Sequence, residues 1–135
     1  MLESNTLQVW AQTVIAEQIT AAAETLASYC QKPRSAERLH RARKGLARLR
    51  AALQDLGTLA GATHEFLDRI YELHRRAGKV RDADVLVSRV DEYLRNAASD
   101  ERHELRALRA ALQKRRKRAR RKLEQAVHEL PELRG

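Results

Sequence analysis

Apolar residues recur at helical spacing along most of the chain. Between Leu39 and Leu56 they are separated alternately by three and four positions, which places them on one face of an α-helix. Similar patterns predict five helices, at about 4–31, 35–56, 60–77, 82–98 and 99–130. A proline closes the first and the last of these segments, and Gly57 and Gly78 end the second and third.

The connections between these helices are short, so successive helices are expected to be antiparallel neighbours. The sequence therefore predicts an all-α, antiparallel up-and-down bundle of about five helices, forming a single domain over residues 1–135. Aromatic residues make up 4% of the chain, and it has five Gly and two Pro. This composition excludes a Rossmann domain, a β-sandwich and a glycine-rich fibrous chain.

The charge is unevenly distributed. Lys and Arg number 27 against 18 Asp and Glu, for a net charge of +9, yet residues 1–31 contain no basic residue. Residues 34–50 hold seven basic residues and one acid, and residues 114–122 read KRRKRARRK. Two basic helices in one bundle would create an electropositive face whose natural ligand is a polyanion.

The predicted second helix carries its cations in a definite direction. At about 100° per residue, Arg43 and Arg50 lie just beside the apolar stripe, and His40, Lys44 and Arg48 continue round one flank. A solvated helix face is the simplest interpretation of such a charge run. The shortage of acids on this helix argues against it, because a solvated face usually mixes both signs.

Arg115 and Arg116 occupy inward positions in the apolar stripe of the last predicted helix, which we expect to include Leu105, Leu108 and Leu112. Unpaired guanidinium groups facing an apolar core are costly, so they must be neutralised. Either they pair with acids such as Asp84 or Asp91, or they line a cavity that holds anions. The surrounding like charges, which repel one another along the helix, favour the anion cavity.

Catalytic chemistry is not indicated. The five His and the single Cys form no metal-ligand pattern, and no nucleotide-binding or hydrolase motif is present. A metal-dependent phosphohydrolase would have to use His40 and His74 with Asp82 or Asp84. The two acids are better explained by the start of the predicted fourth helix. There Asp82 caps the helix, and the negative charge of Asp84 interacts favourably with the positive end of the helix dipole. Arg81 is expected to point toward the basic face. We expect no catalytic residue, no metal and no cofactor.

No apolar run is long enough to span a membrane, and the N-terminal residues lack the pattern of a signal peptide, so we expect neither. Its lone Cys30 fits a reducing compartment. The expected location is the cytoplasm.

Two segments together resemble the CHAD family, the conserved-histidine α-helical domains. Residues 39–53, LHRARKGLARLRAAL, are similar to the signature helix of that family, with Ala47 in place of one arginine. Residues 73–86, LHRRAGKVRDADVL, are similar to its Leu-Gly-x-Val-Arg-Asp-x-Asp-Val-Leu element, with Ala77 in place of the first Leu. The order of the segments and the basic last helix agree as well.

The resemblance implies binding of inorganic polyphosphate, and association with polyphosphate granules in bacteria or archaea. Members of the family usually contain two helical bundles, and this chain has the length of one. It would therefore be a half-length member, which either pairs with a second copy into a homodimer or acts as a single bundle. The residues expected to hold the phosphate oxygens are His40, Arg43, Lys44, Arg48, Arg50, Arg76, Lys79, Arg81, Arg115, Arg116, Arg118 and Arg120.

A nucleic-acid-binding helical protein is the alternative, since this net charge attracts DNA or RNA in any case. The scarcity of aromatic residues argues against a single-stranded nucleic acid as the ligand, because its bases would need aromatic side chains to stack on. Polyphosphate instead favours dense arginine, whose guanidinium groups bind phosphate oxygens in pairs.

Overall fold

The computed structural model describes residues 2–131 and places them in four long antiparallel helices. These are α1 (Leu2–Gln31), α2 (Ala36–Ala60), α3 (His64–Asn96) and α4 (Ser99–His128). Contacts join α1 to α2, α2 to α3, and α3 to α4, as in an up-and-down bundle. The all-α fold class is confirmed, but the number of helices is four, because the predicted third and fourth helices are one.

Helix α3 runs through the predicted break without interruption. Gly78 does not end a helix, because it lies inside α3, which extends from His64 to Asn96. A glycine inside a helix costs about 1 kcal/mol relative to alanine, which is too little to end a helix whose apolar face continues beyond it. That face consists of Ile70, Leu73, Ala77, Val80, Ala83, Val87 and Val90, all buried. Asp82 is consequently not a cap, and it lies exposed in the middle of α3.

Helix α2 begins close to the predicted residue but ends later than predicted. Ser35 caps the start, where its hydroxyl accepts a hydrogen bond from the backbone N–H of Arg38 at 3.2 Å. The predicted end at Gly57 is wrong, because Gly57 is buried within the helix and α2 continues to Ala60. Gly61 provides the C-cap, with φ of +81°, a conformation that glycine adopts without strain. At the start of α4, Ala98 stands at the N-cap and makes no side-chain hydrogen bond.

All four helices contribute to one hydrophobic core. Helix α2 provides the stripe predicted from its spacing, in which Leu39, Ala42, Leu46, Leu49 and Leu53 are buried. Helix α4 enters this core only through its C-terminal part, from Ala119 onward, and α3 only through its N-terminal part, as far as Val80. The shared core therefore lies at one end of the α3–α4 hairpin.

The expected core role of Leu108 on the distal part of α4 is wrong. Leu108 is 47% exposed, and Leu105 and Leu112 are only partly buried. The reason is that none of the three belongs to the core that α1 and α2 share with α3 and α4.

Candidate anion-binding surfaces

Cationic side chains of α2 and α3 lie beside the line along which these two helices pack. They are three and seven residues apart on α2 and seven residues apart on α3, so on each helix they share a face adjacent to the core stripe. We call the resulting strip the α2–α3 surface; its cationic and titratable members are His40, Arg43, Arg50, His74 and Arg81. It brings together two helices that the sequence pattern could only describe separately.

Arg50 is the best-defined side chain of the α2–α3 surface. Its Nη1 lies 3.5 Å from Nδ1 of His74, and its Cζ stands 4.0 Å from the centre of the Tyr71 ring. The hydroxyl of Tyr71 in turn accepts a hydrogen bond from the amide of Gln54. A guanidinium held over an aromatic ring loses little further freedom when it binds an anion, so Arg50 is preorganised.

His74 responds to the charge of this surface. Burial lowers the pKa of His74, and the nearby positive charges of Arg50 and Arg43 lower it further. A neutral imidazole whose Nδ1 faces a guanidinium can accept a hydrogen bond from it. His74 is therefore uncharged at neutral pH in the unliganded surface.

No carboxylate of the described residues neutralises Arg43 or Arg50. The one acid in the basic part of α2, Glu37, is 2.6 Å from Arg41 in an exposed ion pair. Nε of Arg43 is buried and has no hydrogen-bond partner within the described part of the chain. Two partly buried arginines thus face the same strip without a counter-charge, which is an arrangement that attracts anions.

Lys44, Arg48, His40 and Arg81 are exposed. None of the four forms an ion pair with another residue of the range 2–131. They leave the rim of the α2–α3 surface positively charged.

The inward arginines of α4 have a different environment. Arg116 and Arg120 flank the carboxylate of Asp84, with nitrogen–oxygen distances of 3.6 and 3.3 Å. Of the two expected outcomes, pairing with an acid is therefore the one that the structure shows for Arg116. Asp91 pairs with Arg109 instead, at 2.6 Å. Arg115 is exposed, so its expected inward position is wrong.

Polar atoms near Asp84 remain without hydrogen bonds. We call Tyr29, Asp84, Arg116 and Arg120 the Asp84 cluster. Nε of each arginine and the hydroxyl of Tyr29 are buried and have no hydrogen-bond partner among the described residues. Burial raises the pKa of Tyr29, opposed by the charge of Arg120, so its hydroxyl keeps its proton. Burial, together with Arg120, lowers the pKa of Arg116, while Asp84 opposes that change.

A third group of cations lines a cavity of about 170 Å³ between α3 and α4. We call this cavity the α3–α4 pocket; it is lined by Lys79, Asp82, Arg115, Arg118, Ala119 and Lys122. Four cationic side chains and one carboxylate leave a local surplus of positive charge. Three of the predicted ligands, Lys79, Arg115 and Arg118, meet here rather than at the α2–α3 surface.

Arg76 is already engaged with the protein. Its Nε donates to Glu72 at 2.9 Å, and its Nη1 donates to the backbone carbonyl of Lys122, also at 2.9 Å. Hydrogen bonds from Arg75 and Arg76 lower the pKa of Glu72 to about 2. Arg76 thus joins α3 to α4, and of all the predicted ligands it has the clearest structural role.

Two residues of these surfaces escaped the sequence analysis. Lys122 was not predicted as a ligand, although it belongs to the basic run, and His74 was considered only as a metal ligand. His74 precedes Arg81 by seven residues, which is two helical turns. That relationship could have been found only if the helix had been predicted to continue through Gly78.

The two acids of the phosphohydrolase hypothesis do not lie with its histidines. His74 lies on the α2–α3 surface, Asp82 in the α3–α4 pocket, and Asp84 between Arg116 and Arg120. Over residues 2–131 no three His, Cys, Asp or Glu side chains are arranged to hold a metal ion. No helix in the same range is long and apolar enough to cross a membrane.

Comparison with known proteins identifies one family. The model of the CHAD domain matches residues 13–134, a span that includes most of α1, the other three helices and both basic surfaces. No curated protein and no solved structure matches the chain.

Proposed function

Since the chain belongs to the CHAD domain family, we propose that it binds inorganic polyphosphate, without chemical conversion, through the α2–α3 surface. The observation that carries this proposal is the position of Arg43, Arg50 and His74. They lie together, partly buried, and no carboxylate of residues 2–131 opposes them.

The chemistry of the surface suits a chain of phosphates. Arginine binds phosphate oxygens through paired N–H groups, and a partly buried guanidinium binds them more strongly than one in bulk water. Arg43 and Arg50 are two helical turns apart, so they present donors along the strip rather than at one point. A flexible polyanion with a charge on every unit can use donors spaced in this way.

Features that would favour nucleic acid are weak at this surface. Bases of a single strand need aromatic platforms, and the ring of Tyr71 is covered by Arg50. The strongly exposed aromatic residues, Trp10 and Tyr93, lie on α1 and on the distal part of α3. Nucleic-acid binding therefore remains the alternative on the basis of net charge alone.

A competition experiment distinguishes polyphosphate from nucleic acid as the ligand. Labelled long-chain polyphosphate is titrated with the protein against duplex DNA and RNA at matched phosphate concentration, across a series of salt concentrations. We expect polyphosphate to bind at least about tenfold more tightly at physiological salt, a difference of about 1.4 kcal/mol. Equal binding with a steep salt dependence would show general polyanion attraction and would overturn the proposal.

A charge-reversal variant tests the assigned surface. In Arg43→Glu/Arg50→Glu, polyphosphate binding is expected to be lost while the helical circular dichroism is retained. The matched control is Arg89→Glu/Arg106→Glu, which makes the same change in net charge at exposed positions outside both surfaces. If a folded Arg43→Glu/Arg50→Glu variant binds as well as this control, the site assignment is wrong.

The remaining expectations belong to the same proposal. Exposed Lys44, Arg48, His40 and Arg81 would extend the surface, and the ligand would bring the protein to polyphosphate granules in the cytoplasm. Pairing of two copies would double the basic surface, and the mass of the protein in solution, with and without polyphosphate, tests it.

A further inference from the structure

The α3–α4 pocket has the properties of a binding site in its own right. It is a concave space of about 170 Å³ into which Lys79 projects from α3 and Arg115, Arg118 and Lys122 project from α4. None of these four cations forms an ion pair with a residue of the described range. Asp82 is the single acid in its lining, so the pocket keeps a surplus of positive charge that a phosphate group would neutralise.

The pocket and the α2–α3 surface lie at the same height on different sides of α3. At about 100° per residue, Lys79 and Asp82 are about 120° round the helix from His74 and Arg81. Measured along the helix axis, the midpoints of the two pairs are less than one turn, or ~5 Å, apart. A ligand reaching from one site to the other has to pass over α3, whose diameter with side chains is about 10–12 Å.

Gly78 is the position at which a ligand can pass over α3. On the helical wheel it falls between the two sites, and a Cβ built at this position would have no atom within 4 Å. Glycine leaves the backbone open to close approach by a ligand. At this position no side chain therefore obstructs the surface between the two basic sites.

We propose that the α3–α4 pocket is a second phosphate-binding site, and that a long polyphosphate chain occupies it together with the α2–α3 surface by crossing α3 at Gly78. This inference rests on the proposed function and adds selection for chain length. Once one site is occupied, the second binds the same chain at a high effective concentration. A short polyphosphate cannot span both sites and gains nothing from their proximity.

Calorimetry with two ligands tests the proposal. Tripolyphosphate is expected to bind the wild-type protein at two sites, and long-chain polyphosphate is expected to bind at least about 100-fold more tightly than tripolyphosphate. Arg115→Glu/Arg118→Glu should bind one tripolyphosphate and lose at least about tenfold in affinity for the long chain. Arg89→Glu/Arg106→Glu is again the control for net charge.

A variant that keeps every charge tests the crossing itself. In Gly78→Leu both sites remain, so two tripolyphosphate molecules should still bind, whereas affinity for the long chain should fall at least about tenfold because its path is blocked. Helical circular dichroism confirms that the variant is folded.

The outcomes distinguish this inference from the proposed function. A wild-type protein that binds neither ligand overturns both. One tripolyphosphate per protein, or long-chain affinity in Arg115→Glu/Arg118→Glu equal to that of the control, overturns the second site and leaves the α2–α3 surface in place. Unchanged long-chain affinity in Gly78→Leu overturns the crossing.

Discussion

Arg120 on α4 lies 3.3 Å from the carboxylate of Asp84 on α3, and both side chains are largely buried, at 11% and 16% exposure. Arg116 approaches the same carboxylate at 3.6 Å. One acid thus balances two guanidinium groups at the junction of α3 and α4. Arginines inside the bundle are tolerated here because Asp84 is present.

Replacing Asp84 should destabilise the protein. Asp84→Asn leaves two partly buried positive charges with no carboxylate between them, and leaving a buried charge unpaired is costly. We expect the free energy of unfolding to fall by about 2–3 kcal/mol, below the range for full burial because water reaches part of the cluster. Urea denaturation at neutral pH and low salt measures this loss.

Asp91→Asn is the matched control for Asp84→Asn. It removes the same charge from α3, but Asp91 and Arg109 are 41% and 40% exposed, and exposed pairs contribute little. The free energy of unfolding should therefore fall measurably less than in Asp84→Asn. Equal losses in the two variants would show that the Asp84 cluster does not have the assigned role.

Polyphosphate affinity should increase as the pH falls, through His74. Burial, Arg50 and Arg43 lower the pKa of His74 in the free protein, so it is neutral there at neutral pH. A bound polyanion beside these groups favours the charged imidazole and raises its pKa, so that binding takes up a proton. Between about pH 7.5 and about pH 5.5 the affinity should rise by up to tenfold for each unit by which the ligand raises the pKa of His74.

His103 is the control for this pH dependence, because it is a histidine exposed on α4 outside both basic surfaces. Affinity is measured at both pH values for wild type, His74→Gln and His103→Gln. The gain on acidification should shrink in His74→Gln and persist in His103→Gln. A full gain in His74→Gln would rule out His74 as the linked group.

The glycines of α2 and α3 should respond in opposite ways to alanine. At Gly78 the added methyl group meets no atom within 4 Å, so Gly78→Ala should stabilise the protein by about 1 kcal/mol through its helix propensity. At Gly45 the added Cβ would lie 2.8 Å from Oγ1 of Thr25 and 3.4 Å from Cα of Ala22. Crowding at such a contact between α1 and α2 costs about 1–3 kcal/mol, so Gly45→Ala should destabilise.

Thermal unfolding of the two glycine variants measures this contrast. Helical propensity favours alanine equally at both positions, so any difference between them reports the space around the new methyl group. Equal stabilisation of both variants would mean that α1 and α2 can move apart without cost at Gly45.

Local patterns predicted the parts of the fold that depend on neighbouring residues. The stripe from Leu39 to Leu53 is buried, and α2 begins within one residue of the predicted start, since helical periodicity and helix starts depend on residues only a few positions apart. The predicted break at Gly78 was wrong because it depends on residues that are distant in the sequence. Whether a glycine ends a helix depends on what the residues beyond it pack against, and those partners are on other helices.

The candidate site, too, could be predicted from the sequence only in part. The sequence placed Arg43 and Arg50 beside a core stripe, and they are found there. It could not indicate that His74 faces Arg50 across the α2–α3 packing line. Nor could it separate Arg115, in the α3–α4 pocket, from Arg116, beside Asp84.

By itself, the sequence determined an all-α bundle with directional positive charge, because periodicity and charge are properties of the order of residues along the chain. Only the tertiary structure decided which cations are neutralised and which are free. Arg120 meets its carboxylate 36 residues away, whereas Arg43 and Arg50 meet none in the part of the chain that the structure describes. The physical reason is that Coulomb energy depends on distances between side chains in space, and packing of the helices sets those distances.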